Sequence, residues 1–296
     1  MITNTLSTVK KKFNFSVSTD IVGLFGNPVH SINFWQHVIS PIKGSSVEIG
    51  LEVLAWRHLQ FAGLSKEPIL QQHIAGFHGR IGTRLDTELP RMQKVLLSKK
   101  IGLYNSVLYP SLQLVDATEK QFHDRTQLPY ILLHEPETSM LLEQGELRTT
   151  SKRVPLVVEN SVDDPSLQKT KAAVLQLQEL GWDACMVFDV VHFLASHNAV
   201  AQPRALWQAV LNQFQSPMMI HLPIGLNISD SLPIAECTDE MLKALAEAIS
   251  VSESYVTIEF QLEGLYPLYA QPVTLDFVTQ HAQNWLKRLF ECGILH

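Results

Sequence analysis

The chain has 296 residues, 46% of them apolar and 18% charged, which is material for one large globular domain or two small ones. No apolar run reaches the roughly 18 residues of a membrane span, so no membrane partner is expected. The net charge of −6 counts against a broad polyanion-binding surface, and nucleic acid is a disfavoured partner.

The chain opens with MITNTLSTVKKKFNFSVSTD, which has a basic cluster but no apolar stretch after it, against a secretory signal. Residues 1–16 read as a loose N-terminal extension ahead of a domain spanning 17–296. Short apolar runs then recur: IVGLFG (21–26), SVEIGLE (46–52), HIAGFHG (73–79), YILLHE (130–135), PLVVEN (155–160), ACMVFDVVH (184–192), PMMIHLP (217–223) and YVTIEFQ (255–261). Most are continuous rather than alternating, as expected of parallel strands buried on both faces. Helical patterns fill several gaps. SINFWQHVISPI and VLAWRHLQFAGL are candidates in the first half. DPSLQKTKAAVLQLQELGW begins with Asp164 and Pro165 as N-cap and N1, and Gly181 ends it. AQPRALWQAVLNQF, TDEMLKALAEAISVS and TLDFVTQHAQNWLKRLF carry apolar residues at three- and four-residue spacing. Eight strands alternating with helices is the count of a single (β/α)8 TIM barrel. The rival, a doubly wound open sheet, often carries a Gly-rich phosphate loop, and no such motif is present. The three cysteines, Cys185, Cys237 and Cys292, are too few and too scattered for a disulfide scaffold, so a reducing cytoplasm is the expected location.

Ionisable residues sit at the ends of those runs. Strand two ends in Glu52, strand three in His78, strand four in His134 and Glu135, and strand five in Glu159. Strand six carries Asp189 and His192, strand seven His221, and strand eight Glu259. A (β/α)8 barrel gathers all these ends on one face, where its active sites are built. One such residue is ordinarily a hydrogen-bonded or solvated side chain. Several buried carboxylates together are costly without a compensating cation. A divalent metal is therefore expected, and mixed imidazole and carboxylate ligands suit zinc, manganese, iron or cobalt.

The ordered set resembles the xylose-isomerase-like TIM-barrel superfamily, which includes sugar isomerases, ketose 3-epimerases and the endonuclease IV family. The resemblance runs from residue 73 to 261. It is carried by the Glu of VVEN, the D-x-x-H of FDVVH, the His of IHLP and the Glu of IEF. Similarity to the epimerases implies that Glu159, Asp189, His221 and Glu259 hold one metal. It also implies that Glu159 and Glu259 exchange protons with a substrate carbon, with His192 touching substrate or a metal-bound water. Similarity to endonuclease IV implies a second metal on His78 and His134, bridged by Glu159. That family's third site needs a D-x-H pair after strand seven, and here Asp230 is followed two residues on by Leu232.

Three functions are open on this reading. The first is a metal-dependent isomerase or epimerase acting on a sugar-like small molecule. The second is a di- or trinuclear phosphodiester hydrolase, and the third a non-catalytic barrel retaining a metal. The four-ligand set favours the first, whereas His78 and His134 favour the second. His30 and Arg80 read as loop residues within reach of the site, and Trp56, Trp182 and Trp207 as packing residues.

Overall fold

The computed structural model describes residues 4–18, 28–43, 47–54, 68–78, 114–197, 203–225, 232–233, 237–261 and 275–296. Eight strands run through them: β1 Phe15–Ser18, β2 Ile49–Leu54, β3 Ile74–His78, β4 Tyr130–His134, β5 Leu156–Glu159, β6 Ala184–Asp189, β7 Met219–Gly225 and β8 Tyr255–Gln261. Each pairs in parallel with the next, and β8 pairs in parallel with β1, so the sheet closes into a (β/α)8 barrel. A two-residue segment, Leu232–Pro233, adds a short pairing to the end of β7.

The helices are α1 Asn4–Lys12, α2 Pro28–Lys43, α3 Pro68–His73, α4 over 114–121, α5 Glu135–Glu143 and α6 Glu146–Thr149. They continue with α7 Gln168–Glu179, α8 Val190–Ser196, α9 Pro203–Leu211, α10 Asp239–Val251 and α11 Leu275–Glu291. None is long and apolar enough to cross a membrane.

The continuous apolar runs hide a two-residue alternation. On β6, Ala184 and Phe188 pack into the outer core beneath the helices, whereas Cys185 and Val187 join a separate cluster inside the barrel. Asp189 continues the inner series. On β4 the inner residues are Tyr130 and Leu132, then His134; on β5, Val157, then Glu159; on β7, Met219, then His221. Successive side chains of a strand point to opposite faces. Strands β4, β5 and β6 therefore fill the barrel's lower tiers with apolar residues and end on a polar inward one, and β7 places His221 directly above Met219.

Two expectations need correcting at the N-terminus. The first strand is Phe15–Ser18, not residues 21–26, which lie outside the described residues. Its inner positions, Ser16 and Ser18, are polar yet fully buried, and Ser16 Oγ lies 3.0 Å from Tyr255 Oη across the seam. The preceding residues do not behave as a loose extension. Leu6, Val9 and Phe13 are buried in one cluster with Tyr130, Cys185, Met219 and Tyr255, so α1 plugs the N-terminal end of the barrel.

The helix expected from Asp164 starts later, at Gln168, with Leu167 in a left-handed conformation before it. Asp164 still satisfies that terminus. Its carboxylate accepts from the Lys169 and Thr170 backbone N–H groups and from the Thr170 hydroxyl. Thr238 caps α10, accepting from Met241 N. Trp182 is buried and donates to the Leu147 carbonyl, and Trp207 is buried on α9; both are packing residues. Arg80 and Trp56 lie outside the described residues, as does VLAWRHLQFAGL beyond Leu54.

Candidate metal centre

Parallel register carries the polar residues to one level. His134 pairs with Glu159 and Asp189 with His221; His134, Glu159 and Asp189 end their strands, whereas His221 lies early in β7, with Leu222–Gly225 after it. Glu259 lies opposite Pro223, two residues above the Thr257 that faces His221. Glu52 joins from β2 and His78 from β3. Glu52, His78, Glu159, Asp189, His221 and Glu259 are all buried. His134 and His192 are the more open members, with side chains 17% and 35% exposed.

The side chains interlock through Glu159. Its Oε1 lies 2.7 Å from His221 Nδ1, and its Oε2 lies 2.9 Å from His134 Nε2 and 3.9 Å from His78 Nε2. Glu259 Oε1 lies 3.2 Å from the same His221 Nδ1. Three groups offer ligand atoms all within 4.8 Å of one another: Glu52, His78, His221 and Glu259; His78, His134 and Glu159; and Glu159, Asp189 and His192. The four residues expected to hold one metal do not form one such group. Glu159 and Asp189 fall in the third and His221 and Glu259 in the first, joined by the contact between Glu159 and His221. The expected second set, His78, His134 and Glu159, is brought together as one group.

Hydrogen bonding separates these atoms into two kinds. Both oxygens of Glu159, Asp189 Oδ2 and His221 Nδ1 are buried without a hydrogen-bond partner among the described residues, despite their short mutual distances. Buried polar atoms are rarely left so, because each costs roughly 1–3 kcal/mol. Atoms of this donor type, turned on one another without hydrogen-bond alignment, fit a divalent cation. Glu52 is the opposite case. It accepts from Tyr130 Oη at 2.6 Å and lies in hydrogen-bond contact with His78 Nδ1 and His221 Nε2, at 3.2 and 3.1 Å.

Asp189 and His192 are held by local structure. Asp189 is the N-cap of α8, its Oδ1 accepting from His192 N at 2.6 Å. Asn160 clasps the Asp189 backbone, accepting from its N–H at 2.7 Å and donating to its carbonyl at 3.3 Å. Its own carbonyl meets His192 Nδ1 at 2.9 Å. The D-x-x-H spacing is thus one turn of capped helix, and His192 sits on α8 rather than on the strand.

Charge coupling in the cluster is strong. Burial alone raises carboxyl values and lowers imidazole values. For Glu52, Glu159 and Glu259 the neighbouring imidazoles overcome burial and hold the carboxyls below their usual range, Glu259 at about 2. Burial also opposes the charged forms of His78 and His221, yet the surrounding glutamates raise both well above normal. His192 is raised against burial by Asp189, while burial keeps His134 low despite Glu159. Asp189 is pushed up to about 6 by burial, with Glu159 and Glu259 adding repulsion and His192 opposing it. Four buried carboxylates here require compensation, which imidazolium or a bound cation can supply.

Glu52, Tyr130 and Asn160 had no assigned role in the sequence. Glu52 carried a visible signal, a carboxylate inside the apolar run EIGLEVL, whereas nothing local marks Tyr130 as its partner. His30, expected in a loop, lies in α2. Neither protein-family models nor curated proteins give a match to this chain. The site is a TIM-barrel C-terminal face bearing a buried His and Glu cluster able to hold metal, which is compatible with a metal-dependent enzyme.

Proposed function

We propose that the protein is a metal-dependent phosphodiester hydrolase whose two ions share Glu159. The carrying observation is the two-sided engagement of that carboxylate, with Oε1 facing His221 and Oε2 facing His134 and His78. A carboxylate committed on both sides is poorly placed to act as a free base toward carbon. In this arrangement His78, His134 and Glu159 would hold one ion; Glu159, Asp189, His221 and Glu259, which fall in two neighbouring groups joined by the Glu159–His221 contact, would draw together to hold the other. When bound, the ions supply Lewis acidity toward phosphate oxygens and acidify a water molecule. Asn160 takes up His192 Nδ1, leaving Nε2 as the nitrogen that hands a proton to the departing oxygen. The net charge of −6 favours a small phosphodiester over polymeric DNA.

A second reading, the metal-dependent isomerase or epimerase implied by the superfamily resemblance, keeps one observation in its favour. Glu159 Oε1 and Glu259 Oε1 approach the same nitrogen, His221 Nδ1, so both carboxylates border one position and could serve opposite faces of a substrate carbon. One experiment separates the two. Metal-loaded protein is incubated in deuterium oxide with a panel of ketoses, and in parallel with small phosphodiesters. Phosphodiester turnover with two ions per chain is the expected result. Deuterium entering a ketose, with one ion per chain and no phosphodiester turnover, establishes the isomerase instead.

A further inference from the structure

Glu52 is a buried carboxylate of the cluster with hydrogen-bond partners on both oxygens. Oε1 meets His78 Nδ1, and Oε2 meets His221 Nε2 and the Tyr130 hydroxyl. Neither oxygen is without a partner, in contrast to both oxygens of Glu159. The two imidazoles are gripped by opposite ring nitrogens, Nδ1 on His78 and Nε2 on His221. Each therefore presents its other nitrogen toward Glu159, His78 Nε2 at 3.9 Å and His221 Nδ1 at 2.7 Å.

From this we infer that Glu52 is a positioning residue and not a metal ligand: a single carboxylate that fixes the ring orientation of one histidine in each half of a two-ion centre. The inference rests on the proposed two-ion reading of the site. A carboxylate accepting the far N–H of a ligating histidine fixes the tautomer and raises the basicity of the ligating nitrogen. Here one group does so for two histidines from strands on opposite sides of the barrel. The geometry explains why the carboxylate is on β2. Glu52 pairs with Gly76, a position where a Cβ would come within 2.2 Å of the Tyr130 ring. Gly76 thus lets Tyr130 rise from the lower tier to hold Oε2. Glu259 Oε1 also lies 3.5 Å from His78 Nδ1, but Glu52 is nearer and aligned.

The competing assignment takes Glu52, His78, His221 and Glu259 as a four-ligand site, since their donor atoms also lie within 4.8 Å of one another. That site would bind through His78 Nδ1, whereas the positioning role requires Nε2. Cadmium-loaded protein with nitrogen-15 histidine distinguishes them, because one-bond cadmium–nitrogen couplings identify the ligating atom. The expected result is coupling to His78 Nε2 and His221 Nδ1. Glu52→Gln, which cannot accept from both rings, should keep the full number of bound ions with affinity lowered roughly 10- to 100-fold. Tyr130→Phe should also keep that number, with a smaller fall in affinity, and serves if Glu52→Gln fails to fold.

Coupling through His78 Nδ1, loss of an ion in Glu52→Gln, or unchanged affinity in both variants overturns the positioning role alone. Wild-type protein that takes up no cadmium overturns the metal-centre reading and the positioning role together.

Discussion

Replacing Leu6 by Ala tests whether α1 is part of the barrel. Leu6 is 2% exposed and packs with Val9 and Phe13 against the inner residues of β4, β6, β7 and β8. Truncating a buried leucine costs about 2–5 kcal/mol, the amount depending on how far the surroundings close over the gap. α1 joins β1 through a short link after Lys12 and is not itself threaded through the sheet, so it can settle partway into the space. That places the expected cost in the lower half of the range, about 2–3 kcal/mol. Leu175 is the control. It lies 59% exposed on α7, and Leu175→Ala should change stability by no more than about 0.5 kcal/mol. Urea unfolding followed by tryptophan fluorescence measures both, read as a shift in midpoint at unchanged slope. If Leu6→Ala costs no more than Leu175→Ala, α1 is undocked in solution and the plug does not exist.

Glu159→Gln should abolish binding of both ions, whereas His134→Ala should remove one, with elemental analysis of the purified variants as the check; equal losses in the two variants would count against a shared carboxylate. Stripped of metal, the protein should lose stability as the pH rises above 6.5, because the raised values of His78 and His221 contribute stability that is complete below that point and disappears through their folded-state values. Asp189 acts in the same direction at lower pH, its carboxyl being raised from 3.8 to about 6, so its ionisation costs stability across that interval. Bound metal, which takes neutral imidazole, should reverse the alkaline loss, and thermal midpoints at about pH 6 and about pH 9 with and without zinc will test both statements. Equal midpoints at the two pH values in stripped protein would refute the coupling. Gly76→Ala should destabilise by about 1–3 kcal/mol, because the added Cβ would lie 2.2 Å from a buried aromatic ring, and a neutral outcome in urea unfolding would mean that Tyr130 is free to move.

The later strands were legible because their polar ends stand out against apolar runs. YILLHE, PLVVEN and YVTIEFQ each fall on a strand that ends at, or within two residues of, the site residue. FSVS is not legible as β1, since its inner positions are small and polar and break the continuous apolar pattern of the later strands. Ser16 is buried with its hydroxyl against that of Tyr255, on a strand 239 residues later. The plug was misread for a similar reason. STVKKK is polar on its solvent face, and the residues clustered with Leu6 and Val9 are dispersed over six distant strands, β3 to β8. Within the site, strand order placed the residues on one face but did not group them. Which carboxylate faces which imidazole depends on side-chain reach across the barrel, and Glu52 illustrates this, contacting β3, β4 and β7 from β2.

Closing the barrel joins the beginning of the described chain to its end. β1 meets β8 through two registered pairs, Ser16 with Thr257 and Val17 with Ile258, whereas β7 and β8 share seven. Contacts of such long sequence separation form slowly, because the intervening chain must be ordered before they are rewarded. On a ribosome, β1 and its plug are made first and wait for the final strand. Glu52 is likewise synthesised well before His221, its partner on β7. Until β7 and β8 arrive, the nascent sheet has an open edge and a group of carboxylates without their full set of imidazoles. Completion of the fold and completion of the metal centre are therefore one late event, so a metal ion that binds the closed barrel also acts as a brake on its reopening.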